Sequence, residues 1–264
     1  MSKATVRDKL WIWGHEAGSH NDRYELQQAS RMTPLEGAVY LGVPNMIMVG
    51  YAGLPKPPFR QYALAFRPLQ RVVWSIVAAG GRTQGGEVQA VRQLATSFPN
   101  FSGVMMDDFF RPSESGGMVG TYSVAELQAI RDQLRVSTRR LDLWVVLYEH
   151  QLAHSPAEHL AQCDFVSFWT WKSELLRDLE ENFKRVEAMA PAARKVLGCY
   201  MYDYGNHRPI PLDLLQRQSE LGLQWLQDGR IEGMIFLASC ICDLELEAVE
   251  WTRNWIGNVA DRAL

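Results

Sequence analysis

Eight short runs rich in Val, Ile, Phe, Trp and Tyr recur along the whole chain, at 10–15, 45–51, 71–78, 101–108, 141–150, 164–171, 195–204 and 231–239. Most are continuously apolar rather than alternating. A strand covered on both faces reads that way, as in a parallel sheet flanked by helices. Helix patterns with legible starts lie between the runs. Thr33-Pro34-Leu35-Glu36 supplies an N-cap, a proline at the first helical position and a glutamate three residues past the cap. Ser155-Pro156-Ala157-Glu158 repeats that signature, and Ser123-Val124-Ala125-Glu126 is another capping box. Further helices are expected over 61–69, 87–98, 174–190, 212–229 and 244–257, with Gly229 and Gly257 placed for left-handed helix ends.

Eight β-α units in 264 residues leave room for one domain, spanning 1–264. A closed (β/α)8 barrel gives every strand two neighbours and leaves no sheet edge exposed. An open doubly wound sheet would want a glycine-rich phosphate loop after the first strand. Gly14-His15-Glu16-Ala17-Gly18 does not match that pattern.

Composition narrows the partners. The net charge of −3 offers no basic excess for a phosphate backbone, so nucleic acid is not expected. No apolar run approaches the roughly 20 residues of a membrane span. The segment MSKATVRDKLWIWGHE lacks a signal-peptide core, and Cys163, Cys199, Cys240 and Cys242 sit in apolar runs without disulfide-scaffold spacing. The expectation is a cytoplasmic protein with buried, structural cysteines. Cys240-Ile241-Cys242 lacks the second pair that a structural zinc site needs.

In a barrel, catalytic groups stand where the strands run into the following loops. Run one ends in His15 and Glu16, with His20 and Asn21 beyond; run two ends in Tyr51. Run four ends in Asp107-Asp108-Phe109-Phe110, run five in Glu149-His150 and run six in Trp169-Thr170-Trp171-Lys172. Run seven ends in Tyr202-Asp203-Tyr204. The opposite ends carry only Arg71, Asp142, Asp164, Lys195 and Glu232, which read as solvated rim charges. Because side chains alternate along a strand, one of Asp107 and Asp108 is expected to face the barrel axis and the other to cap a loop. Glu149, set against Trp144, Leu147 and Tyr148, suits a general acid, or else a structural partner of an arginine or of His150. Large aromatic faces beside carboxylates suit a sugar ring. Its C–H faces are apolar, and its hydroxyls need acceptors such as Asp203 and His15.

The segment Gly103-Val104-Met105-Met106-Asp107-Asp108-Phe109 is similar to the fourth-strand segments of several glycoside hydrolase families. In chitinase-like enzymes that segment carries three acids at alternate positions. Here only Asp107 falls on the pattern, with Met105 and Phe109 in the other two places. The order of an Asp after strand four, a Glu after strand five and an Asp after strand seven resembles the alpha-amylase-type layout. That family's Arg before the nucleophile and His-Asp after strand seven are absent.

The resemblance implies a glycoside hydrolase acting on a small-molecule or oligosaccharide substrate without a cofactor. Asp107, Asp108 and Glu149 would be catalytic. His15, Glu16, Tyr51, His150, Trp169, Trp171, Lys172, Tyr202 and Asp203 would hold substrate. Two other readings share the scaffold. One is a divalent-metal sugar isomerase, epimerase or lyase, with ligands among Glu16, Asp107, Glu149, His150 and Asp203. The other is a barrel that binds carbohydrate without turning it over. Lys172 is better read as a rim cation than as a Schiff-base lysine, and the Gly/Ser-rich stretch 111–120 is either a lid or a surface excursion.

Overall fold

The computed structural model describes residues 4–114, 117–154 and 156–264. Eight parallel strands close into a barrel: β1 (Leu10–Gly14), β2 (Asn45–Met48), β3 (Arg71–Val77), β4 (Phe101–Met106), β5 (Asp142–Tyr148), β6 (Phe165–Trp169), β7 (Arg194–Tyr200) and β8 (Met234–Leu237). They neighbour one another in chain order, and β1 pairs β8 through Trp13 and Leu237 to complete the ring. Helices α1 (Pro34–Leu41), α2 (Arg60–Ala65), α3 (Glu87–Ser97), α4 (Val124–Gln133), α5 (Ala157–Leu160), α6 (Leu179–Met189), α7 (Leu212–Gln227) and α8 (Glu247–Val259) follow the strands. Each expected run thus holds a barrel strand.

The caps work as the residue types require. The Thr33 and Ser123 hydroxyls each accept from the amide three residues on, and Glu36 and Glu126 reach back to the cap amides. Ser155 lies outside the described residues. Gly229 is left-handed at φ 68, whereas Gly257 lies inside α8, which runs on to Val259. The four cysteines are buried and unpaired with one another. Among the described residues no helix is long and apolar enough to cross a membrane. Residues 110–112 and 118–120 pair as a short antiparallel ribbon; residues 115 and 116 of the stretch 111–120 lie outside the described residues.

The charges at the amino-terminal end are less solvated than expected. Arg71 lies 4.6 Å from the Trp11 ring centroid and donates to the Asp8 carbonyl, while Arg194 covers Phe165 and pairs with Asp142. Asp164 takes a two-pronged bond from Arg140 at 2.7 and 2.9 Å. These groups close the bottom of the barrel around their aliphatic stems and planar heads.

Inside the barrel, bulk is matched to absence of bulk. The Trp169 indole lies so close to Gly198 on the neighbouring strand that a Cβ there would stand 2.0 Å from it. Trp144 lies over Gly103 and Trp11 over Gly233 in the same manner, with a Cβ 3.0 Å from each indole nitrogen. Three indoles are accommodated because a glycine stands at the point of contact, within the adjacent strand for Gly198 and Gly103 and just before it for Gly233. The Trp169 indole also donates to the Ser167 hydroxyl at 3.1 Å, which fixes its tilt. This positions the floor of the pocket described next.

Candidate active site

The carboxyl-terminal ends of β1, β5, β6, β7 and β8 bring Trp13, Tyr148, Trp169, Tyr200 and Leu237 to one level of the barrel. With Trp171, Tyr51 and Tyr204 they surround a cavity of about 80 Å³. Trp13 and Trp169 meet edge to face, 5.1 Å between centroids, so the floor is stiff and apolar.

Both aspartates of run four line this cavity, correcting the expectation that only one could. The strand ends at Met106. The Asp107 amide still donates to the Val77 carbonyl, continuing the β3–β4 pairing, but Asp108 has a left-handed backbone at φ 44. Strand alternation ends there, and the second side chain swings to the same side as the first. Such a conformation is costly for a residue with a Cβ and here serves to place a carboxyl. Asp108 Oδ1 accepts from the Tyr148 hydroxyl at 2.7 Å, Oδ2 accepts from the Gly80 amide at 2.7 Å, and its own amide donates to Asp107 Oδ1 at 2.9 Å. Asp107 is buried, and burial together with the neighbouring Asp108 charge pushes its carboxyl well above the usual range. The Tyr148 and Tyr200 hydroxyls are likewise pushed up by burial and by the carboxyl pair, so both remain neutral donors.

Opposite the acids stand two histidines. His15 and His20 are buried with ring centroids 4.8 Å apart. Burial, and then the partner imidazole, holds His15 well below its ordinary value; burial and Arg23 lower His20 to about 4. Both are neutral at neutral pH. His20 Nδ1 is 3.2 Å from the Tyr204 hydroxyl, whereas His15 Nδ1 is buried without a partner. A buried, unsatisfied nitrogen at a cavity wall suits a ligand hydroxyl. Tyr24 and Tyr51 share a hydrogen bond of 2.9 Å and complete this wall.

Other anticipated residues are used elsewhere. Glu149 does not line the cavity: β5 stops at Tyr148, and a 3-10 turn (Glu149–His154) carries the carboxylate aside. There its Oε2 accepts from the Trp171 amide at 2.9 Å, and Oε1 lies 3.6 Å from His150 Nδ1. Glu149 therefore orients Trp171 and pairs with His150, the structural role the sequence left open. His150 is exposed and stacks on Tyr148.

Asp203 is buried outside the cavity and accepts from Ser173, Asn206 and Arg208, tying the loop after β7 together. Tyr202 donates to the Tyr24 carbonyl at 2.8 Å. Glu16 meets the Tyr62 hydroxyl, and its Oε2 is buried without a hydrogen bond. Lys172 is exposed, away from the cavity lining. Glu16, Glu149, His150 and Asp203 thus do not join Asp107, and among the described residues no three His, Cys, Asp or Glu side chains are grouped to hold a metal. Glu149→Ala, which strips the Trp171 amide of its acceptor, is expected to cost about 1–2 kcal/mol in urea denaturation. Glu149→Gln keeps an acceptor and should cost much less.

No protein-family model and no curated protein matches the chain. Solved structures do. A protein from Bacteroides thetaiotaomicron assigned as an alpha-L-fucosidase is 11% identical, with a TM-score of 0.59 over 97% of this chain and 99% of that one. The PgaB glycoside hydrolase domain from Bordetella bronchiseptica gives 11%, 0.51, 93% and 98%. Tryptophan synthase from M. tuberculosis gives 13%, 0.52, 97% and 93%. What these structures share with this chain is the fold, a closed (β/α)8 barrel. Because the same barrel also serves a synthase, the chemistry has to be argued from the pocket.

Proposed function

We propose that this protein is a carbohydrate-active enzyme of the glycoside hydrolase type, with Asp107 and Asp108 as its reacting pair. The observation that carries the reading is the pair itself. A buried carboxyl whose proton affinity is raised by burial and by its neighbour adjoins a carboxyl held by two donors, at the aromatic floor of the carboxyl-terminal mouth. Asp107 protonates the departing glycosidic oxygen. Asp108 faces the positive charge that develops as the bond to that oxygen breaks. Water then adds to the sugar and returns a proton to Asp107. His15 and the tyrosine hydroxyls hold sugar hydroxyls, and Trp13, Trp169 and Trp171 lie against the ring.

Purified protein incubated with a panel of 4-nitrophenyl glycosides, both anomers of each common pyranose and furanose, is expected to release nitrophenol from at least one of them. Saturable binding of a glycoside without release would identify a binding barrel. Silence across the panel, in both turnover and calorimetric binding, would remove the carbohydrate assignment.

A further inference from the structure

A second cavity, of about 320 Å³, opens between the loops after β2 and β3 and the start of α3. It shares Tyr51 and Ala79 with the carboxylate pocket, so the two adjoin. Its size lies in the range of small-molecule sites, and it adds to the 80 Å³ beside Asp107 the room that a whole ligand needs.

The walls are of a different kind from the first pocket. Leu54, Pro55, Phe59, Trp74, Ile76 and Val91 form them, with Phe59 and Trp74 5.3 Å apart. Of the less exposed polar groups on these walls, the Ser75 hydroxyl accepts from the Gly50 amide at 2.8 Å and Glu87 accepts from the amides of Gln84 and Gly85, while the side chains of Arg82 and Gln84, which also line the cavity, are exposed to solvent. A sugar ring entering here would shed water from its hydroxyls and find few partners, which is unfavourable by more than an apolar contact returns. An apolar group loses nothing by the same move and gains the burial.

We propose that this side cavity holds an apolar aglycone, an aryl or short alkyl group, carried by the same molecule whose sugar meets Asp107 and Asp108. The inference rests on the carbohydrate reading and adds the substrate class: glycosides of apolar alcohols or phenols rather than polysaccharide chains. Tyr51, on the wall common to both cavities, stands where the glycosidic oxygen would pass.

Calorimetry with matched methyl, hexyl and phenyl glycosides of glucose, galactose, mannose, N-acetylglucosamine, fucose and xylose tests it. For the sugar that binds, the hexyl and phenyl forms are expected to bind roughly tenfold more tightly than the methyl form. Ala90→Phe, which projects a ring from α3 into the cavity, and Leu54→Ala, which trims its wall, should each bring that ratio down toward one. Equal affinity of methyl, hexyl and phenyl forms for the wild-type protein would overturn the aglycone site while leaving the carbohydrate reading intact. Binding of none of them would overturn both.

Discussion

Asp107→Asn lowers turnover of a 4-nitrophenyl glycoside by about 10²–10⁴-fold, the usual worth of a positioned proton donor. The amide keeps the shape of the carboxyl and an oxygen for the Asp108 amide to donate to. It has no proton to release, so the departing oxygen must leave as an anion. The leaving group then decides how much is lost. On a 2,4-dinitrophenyl glycoside, whose phenolate needs little assistance, the deficit should shrink to about tenfold or less.

Asp108→Asn behaves differently. Its carboxylate faces the charge on the sugar, which develops whichever group departs, so its loss should persist with both substrates. Tyr148→Phe removes the 2.7 Å bond that aims Asp108 and should cost roughly tenfold, mostly in kcat. Steady-state rates for the three variants on the two substrates check the assignment. Near-normal rates in both aspartate variants would sink it, and an equal loss on both substrates for Asp107→Asn would take away its role as acid.

The ring of strands was legible because a strand buried on both faces leaves a continuous apolar run, and each run here is separated from the next by a capped helix. The carboxylate pair was legible for the same reason: Asp107 and Asp108 stop such a run. Hydrophobicity did not reveal where each strand ends, and one residue of error turns a side chain to the other face. Glu149 looked like the last residue of its strand, but the strand ends at Tyr148, and Glu149 is turned toward Trp171. Run seven reads as continuing to Tyr204, which points to Tyr202 and Asp203, yet the strand ends at Tyr200, and it is Tyr200 that lines the cavity.

Asp108 shows the opposite case. Strand alternation sends it away from the pocket, and a positive φ brings it back. Tyr24 and the orphaned His15 Nδ1 depend on a long loop and on burial, neither of which has a period in the sequence.

Asp107→Asn should also make the protein more stable, and increasingly so as pH rises. An unfolded aspartate releases its proton near pH 3.9. In the folded protein, burial and the adjacent Asp108 hold that proton to well above this value. Between the two pKa values the native state binds one more proton than the unfolded chain, so unfolding free energy falls with pH, by up to about 1.4 kcal/mol per unit. The Asp107 contribution is therefore fully present below about pH 4, is lost as pH climbs toward the folded pKa, and changes no further above it. Asparagine has no proton to lose and escapes the loss.

Urea denaturation at pH 5 and pH 7 should show the variant gaining on the wild-type protein by as much as roughly 2.7 kcal/mol over those two units. An interval that stays constant between the two pH values would mean that Asp107 ionises like an exposed carboxyl, and its part as proton donor would go with it. A residue kept for packing destabilises the fold when it is replaced; a residue kept for chemistry against the preference of its surroundings does the reverse. The same substitution that stops turnover and strengthens the fold would mark Asp107 as the second kind.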